Sequence, residues 1–229
     1  MNNRRSFITG IQSTKLTLLE EKFLRKYKPW GVILFTRNIK DIDQTFKLTS
    51  SIRKIFKDPK YPILIDQEGG RVNRLKNIIS FDNLTSKFFE DLYFKDPKKF
   101  KFIYKLFIDK TSYLLKSIGA NINTSPVLDL RIKGSSNIIG NRSFSRSPKI
   151  ASKIGDYCIK YFSENGIGTV IKHIPGHGLA KVDSHHFTPT INKTLKYLKR
   201  KDFLAFKNKD SLFAMTGHII FKKIDPINT

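Results

Sequence analysis

The sequence predicts a parallel α/β fold that closes toward a barrel, and three observations carry that expectation. First, six short β-branched runs, residues 7–12, 31–35, 61–66, 121–128, 168–173 and 212–218, alternate with amphipathic stretches. Each run is almost continuously apolar, as in strands buried on both faces of a parallel sheet. Second, charged or imidazole groups terminate four runs: Asp66 with Glu68, Asp129, Lys172 with His173, and His218. Parallel α/β folds gather their ligands at the carboxyl ends of the strands, so these groups mark one rim. Third, the first strand–helix junctions, GIQSTK and FTRNIKD, hold nothing like the G-x-G-x-x-G turn of an open dinucleotide-binding sheet.

The stretches between the runs read as helices with recognisable ends. Leu16, Leu19, Phe23 and Tyr27 share one stripe at helical spacing. Asp43 is placed to cap a second helix, with Phe46, Thr49, Ile52 and Phe56 on its core face. A longer helix over 99–117 turns Ile103, Phe107, Leu114 and Ile118 inward and stops at Gly119. Ser147-Pro148 supplies an N-cap with proline at the first helical position, and Gly166 ends that helix. Asn192 begins another, carrying Leu195, Leu198 and Phe206. No internal repeat, low-complexity segment or change of composition interrupts the chain, so residues 1–229 are expected to form one domain.

Composition bounds the partners. Lys and Arg number 43 against 19 Asp and Glu, a formal charge of +24. The 32 lysines are spread along the whole chain and are not gathered into a run, so a solvated basic surface is expected and not a nucleic-acid site. Such a charge still draws anionic partners at low salt. No stretch approaches the roughly 18 apolar residues of a membrane span, and no membrane partner is expected. The single cysteine, Cys158, cannot form an internal bridge. That suits a reducing compartment, and a cytoplasmic protein is the expectation.

All five histidines, at 173, 177, 185, 186 and 218, fall in the last quarter of the chain. His173 and His177 are four apart, yet the intervening Ile-Pro-Gly forbids the helix that would face both toward a metal. No Cys or nearby Glu completes a ligand set, so no metal is expected. A Ser–His–Asp triad within 183–185 fails because consecutive side chains in extended backbone point to opposite sides. Asp183 and His185 share a side and form a carboxylate–imidazole dyad, the carboxylate fixing the tautomer. In IDQEGGRVNRL, residues 65–75, Asp66 can hold sugar hydroxyls together with Arg71 and Arg74, or brace the loop through a salt bridge. The residues alone leave both open. Arg142, in Gly140-Asn141-Arg142-Ser143-Phe144, reads as an isolated loop arginine.

The string KHIPGHGLAKVDSHH closely resembles the K-H-F-P-G-H-G-x(4)-D-S/T-H signature of glycoside hydrolase family 3, in its subgroup of NagZ-type β-N-acetylglucosaminidases. ILFTRNI, DQEGGRVNRL, SPVLDL, IGNRSF and TGHI resemble that family in the same order, over residues 7–226. The resemblance implies a (β/α)8 TIM barrel that removes terminal β-linked N-acetylglucosamine from peptidoglycan-derived fragments with retention, needing no cofactor. It further implies that His185 is the acid/base, where most glycosidases use a carboxylic acid. Asp183 becomes its dyad partner, and Asp66, Arg74, Arg142, Lys172 and His173 fall on sugar-contacting positions. Ile174 stands where the signature has Phe, a conservative apolar change.

One departure is large. The family's nucleophilic Asp lies in an S-D-D-L-like segment at the seventh strand, and the 229 residues contain no such segment. About six of the eight β/α units are expected, giving an incomplete barrel with open edges that is inactive on its own. Two other readings remain: a sugar-binding remnant without turnover, and phosphorolysis, since a histidine tolerates an anionic acceptor better than a carboxylate does. A monomer is expected for the complete barrel.

Overall fold

Each of the six apolar runs becomes a strand. In the computed structural model, which describes residues 4–134, 137–182 and 188–228, the strands are β1 (Arg5–Gly10), β2 (Pro29–Leu34), β3 (Ile63–Ile65), β4 (Ile122–Asn123), β5 (Gly168–Ile174), β6 (Thr190–Ile191), β7 (Phe213–Thr216) and β8 (Ile220–Phe221). Strands β1, β2, β3, β4, β5 and β7 lie side by side in that order, every pair parallel. The two-residue strands β6 and β8 pair with each other in a separate ribbon. They are too short to leave an apolar run, and the sequence pattern misses them.

The sheet is curled. Trp30 of β2 and Phe213 of β7 meet with ring centroids 5.2 Å apart. Four strand spacings separate β2 from β7, about 19 Å in a flat sheet, so the contact requires the sheet to roll inward. Side chains alternate accordingly. Leu64, Ile122 and Val170 point into the concave face with Trp30, Ile33, Phe213 and Met215, while Ile63 and Ile65 join the larger core beneath the helices. The architecture is an incomplete (β/α)8 barrel of six parallel strands, as expected, with β1 and β7 at its edges.

The helices are α1 (Leu18–Tyr27), α2 (Ile42–Phe56), α3 (Ser86–Lys95), α4 (Pro97–Ser117), α5 (Pro148–Glu164), α6 (Leu195–Arg200) and α7 (Asp202–Phe206). Helix α1 is capped reciprocally: Thr17 accepts from the Glu20 amide, and Glu20 accepts from the Thr17 amide. Its buried residue is Leu24, while Leu19 is 79% exposed, so the expected stripe is rotated. Helix α2 is capped by Asp41, which accepts from Gln44 N at 2.7 Å, and not by Asp43, which lies inside the first turn. Phe46 faces outward there, and Thr45, Leu48, Thr49 and Ile52 are buried instead. Helix α3 escaped the sequence reading altogether. Helix α4 begins as Asp96-Pro97 dictates, Asp96 accepting from the amides of Lys98 and Lys99. Helix α6 is capped by Thr194, two residues after the expected start at Asn192.

A small satellite core of Ile191, Leu198, Ile219 and Phe221, with Leu179 and Phe203 against it, lies around the β6–β8 ribbon. Leu179 belongs to the turn that follows β5, so this cluster fixes the turn relative to the sheet.

Candidate active site

The strand-end groups converge. Asp66 follows β3, and its loop is tied to β4 by a paired amide: Asn123 Oδ1 accepts from Gln67 N at 3.0 Å, and Asn123 Nδ2 donates to Gln67 O at 2.8 Å. Gln67 Oε1 in turn accepts from the amides of Arg74 and Leu75, closing the 66–75 loop on itself. At its bend Gly69 takes φ of +94°, and a Cβ there would lie 2.5 Å from Leu84 O, so only glycine fits. This local scaffold holds Asp66 and Glu68 toward the strand ends.

Lys172, near the end of β5 and 1% exposed, ion-pairs with both Asp66 and Glu68. Thr124 donates to Asp66 Oδ1 at 2.9 Å, and Arg74 donates to Asp66 Oδ2 at 3.1 Å. Burial alone would raise the Asp66 carboxyl, but the Lys172 ammonium, followed by Arg74, holds it well below the usual carboxylate range. These cations favour the anionic form of Asp66. Arg142 grips Glu68 with a two-pronged bond, Nε to Oε2 and Nη2 to Oε1, both 2.8 Å. Burial opposes that charge, yet the bonds to Glu68 outweigh it and raise the guanidinium above its ordinary value. The arginine read from sequence as an isolated loop residue is thus a partly buried ion-pair partner.

A second group surrounds Asp129, whose side chain is fully buried. His173 Nδ1 lies 2.6 Å from Asp129 Oδ2, and the amides of His173 and His177 both donate to this carboxylate. Burial works against the Asp129 charge, but His173 and the His177 amide lower its pKa overall. His177 is pushed down by burial, with Asp129 opposing. The two imidazoles stand 5.9 Å apart, and Asp129 meets the ring of the first and the backbone amide of the second. The turn that follows His177 depends on Gly178, where a Cβ would lie 2.4 Å from Leu130 O.

Asp66, Arg74, Arg142, Lys172 and His173 all line one cleft of about 390 Å³, with His177, His218 and Met215, beside an apolar wall of Ile33, Phe35, Ile138 and Ile139. The five sugar-contacting candidates are therefore brought together. Asp183 and His185 lie outside the described residues. Arg71 has a different task from Arg74, since it donates to the carbonyls of Asn137 and Ile138 and fastens that wall. Glu68, Asp129 and Thr124 were not singled out as site residues. The strand-end rule points to Glu68 and Asp129, both of which follow apolar runs. Thr124 leaves no such signal. A larger surface cleft, about 770 Å³ between α1 and α2, contains none of the strand-end groups.

Residues 11–228 match the glycosyl hydrolase family 3 N-terminal domain. A β-hexosaminidase of Idiomarina loihiensis is 32% identical, over 94% of this chain and 64% of its own length. Another, from Nitrosospira multiformis, is 29% identical over 96% of this chain and 63% of its own length. The chain thus spans less than two thirds of these curated relatives. Among solved structures, NagZ from Neisseria gonorrhoeae in complex with N-trifluoroacetyl-D-glucosamine superposes with a TM-score of 0.88 at 28% identity, covering 97% of this chain and 66% of that one. A family 3 β-N-acetylglucosaminidase from Paenibacillus superposes with a TM-score of 0.82 at 26% identity, covering 96% of this chain and 42% of that one. With the family matched over nearly its whole length and the curled six-stranded sheet shared, the chain belongs to glycosyl hydrolase family 3.

Proposed function

We propose that this chain carries the sugar-recognition part of a retaining β-N-acetylhexosaminidase that releases terminal β-linked N-acetylglucosamine from peptidoglycan-derived fragments in the cytoplasm. The observation that carries this reading is the charge lattice at the strand ends: two carboxylates, two guanidiniums and one ammonium, locked together beside an open cleft. Such a lattice is rigid before any ligand arrives, which reduces the ordering cost of binding. Asp66 Oδ1 is taken by Lys172 and Thr124, while among the described residues Oδ2 accepts only from Arg74 and keeps acceptor capacity. A sugar hydroxyl donating there makes a hydrogen bond to a charged group, worth about 1.5–3 kcal/mol.

Those same bonds argue that Asp66 is not the attacking carboxylate, because its charge is already neutralised. The attacking Asp of the mechanism belongs to the S-D-D-L-like segment of the family. His185 protonates the departing sugar oxygen and then, deprotonated, activates water, with Asp183 fixing its tautomer. His173, oriented by Asp129, reaches the cleft as a hydrogen-bonding partner for the sugar. The β-hexosaminidase names of the relatives and the glucosamine derivative bound to the gonococcal protein support the substrate class.

The test is a titration of the chain with N-acetylglucosamine followed by heteronuclear NMR. Saturable shifts at residues around Lys172 are expected, with glucose weaker and Asp66→Ala at least about tenfold weaker than the parent. Equal binding of the sugar by Asp66→Ala would overturn the assignment.

A further inference from the structure

Helix α4 buries Phe100, Tyr104, Phe107, Ile108, Leu114 and Leu115 against the core. An amphipathic surface helix with such an inner face presents charged and polar residues to water on the other side. Helix α4 does not. Phe102, Leu106 and Tyr113 project outward and are 68%, 56% and 62% exposed.

Their spacing makes them a row. At 100° per residue, positions 102, 106 and 113 fall within about 40° of one another, along about 16 Å of helix axis. The same arithmetic puts Lys98, Lys101, Lys105 and Lys116 along one flank of that row and Lys99 and Lys110 along the other. All six lysines are exposed. The helix carries one acid, Asp109, and it is occupied: it accepts from Lys105 and from Asn165. An apolar ridge thus runs between two rows of cations, on the convex outer surface of the helix layer.

We infer that the outer face of α4 docks on a bilayer surface rich in anionic headgroups, Phe102, Leu106 and Tyr113 entering the headgroup–acyl boundary while the flanking lysines meet the phosphates. Charge complementarity chooses the occupant. A second copy would bring lysine rows against lysine rows. Nucleic acid satisfies the lysines but offers no apolar phase for Leu106. A folded acidic protein needs a pocket shaped to each projecting ring, whereas a fluid bilayer accepts a convex ridge as it stands. The fit is interfacial, and no described helix is long and apolar enough to cross a membrane. The inference does not depend on the proposed hydrolase reading.

The test is co-sedimentation of the purified chain with phosphatidylglycerol–phosphatidylcholine vesicles and with pure phosphatidylcholine vesicles, at low and high salt. Binding is expected only to the anionic vesicles, weakening steeply with salt. The variant Phe102→Ser/Leu106→Ser should melt at the parent temperature and bind at least about tenfold more weakly, since two apolar side chains lose their burial. Four results would overturn the inference. One is the absence of vesicle binding, and another is equal binding by the double variant. The third is displacement from vesicles by duplex DNA or polyglutamate with the same efficiency for parent and variant, which would mean charge alone is at work. If sedimentation equilibrium shows a dimer that the double variant abolishes, the ridge belongs to a second copy and the inference also fails.

Discussion

Replacing Asp202 by asparagine should stabilise the protein at neutral pH and leave no such gain near pH 4. Asp202 opens α7 beneath the turn that carries His177. It is 1% exposed, and neither carboxylate oxygen has a hydrogen-bond partner among the described residues. Its Cβ packs so closely under Gly176 that a Cβ on that glycine would lie 2.6 Å away. Burial pushes its carboxyl from 3.8 up to about 6, the nearby Asp129 charge adding to the rise and the α7 backbone and Lys201 opposing it. Between those two values the native chain keeps a proton that the unfolded chain has already lost. Stability from this group is therefore complete below pH 4 and declines as pH rises toward 6. Two units at 1.36 kcal/mol each amount to about 3 kcal/mol lost by pH 7.

Asparagine cannot ionise and escapes that loss. Any fixed cost of burying its amide is the same at both pH values and cancels when they are compared. Urea denaturation of parent and Asp202→Asn at pH 4 and pH 7.5 measures the difference directly. The variant should gain about 3 kcal/mol on the parent between the two conditions. A difference that does not change with pH would mean that the ionised carboxylate finds a partner, and the argument from its isolation would fall.

Removing one member of the charge lattice should cost far more than removing a surface pair. Glu68→Gln leaves Arg74, Arg142 and Lys172 around a single carboxylate, and denaturant unfolding should show a loss of about 3–5 kcal/mol. Lys87→Ala, which breaks the exposed pair with Asp91, should change stability by under about 1 kcal/mol. In any form of the protein that turns over substrate, His185→Ala should slow the natural disaccharide about 10²–10⁴-fold while sparing a nitrophenyl glycoside, whose leaving group needs no proton. Asp183→Ala should show the same pattern more mildly, and equal losses on both substrates would remove the acid/base assignment. Gly178→Ala should drop the melting temperature by several degrees, since its methyl meets the Leu130 backbone, which cannot rotate away.

The inner strands were legible because parallel strands buried on both faces leave unbroken apolar runs, and such runs need no tertiary knowledge to find. Helix phase was less so. Leu19 and Leu24 are equally apolar, and only the position of the sheet beneath α1 decides that Leu24 goes in. Asp41 and Asp43 are both plausible caps by type. The chain chooses Asp41 because Gln44 then presents its amide to the carboxylate and its own side-chain oxygen to the Lys40 amide, a reciprocal bond that Asp43 could not complete. In the site, the rule that charges collect at strand ends found Asp66, Lys172 and His173, but it could not say what each one touches.

That limit has a physical origin. Lys172 sits 106 residues from Asp66, so no local pattern encodes their contact. Its position does encode a demand. A lysine that follows Gly168-Thr169-Val170-Ile171 in a buried strand cannot reach water, and a buried ammonium requires carboxylates within hydrogen-bonding distance. The only acids near the ends of the two preceding strands are Asp66, Glu68 and Asp129. His173 and His177 take Asp129, which leaves Asp66 and Glu68 for Lys172. Two carboxylates around one ammonium are one negative charge in excess, so a guanidinium must close the set; Arg74 meets Asp66 and Arg142 forks onto Glu68, and the charge count alone does not choose between them. Counting charges strand by strand thus predicts that a loop guanidinium is drawn into the site, and it takes the tertiary contact with Glu68 to show that Arg142, read from its loop position as solvated, is one of the two.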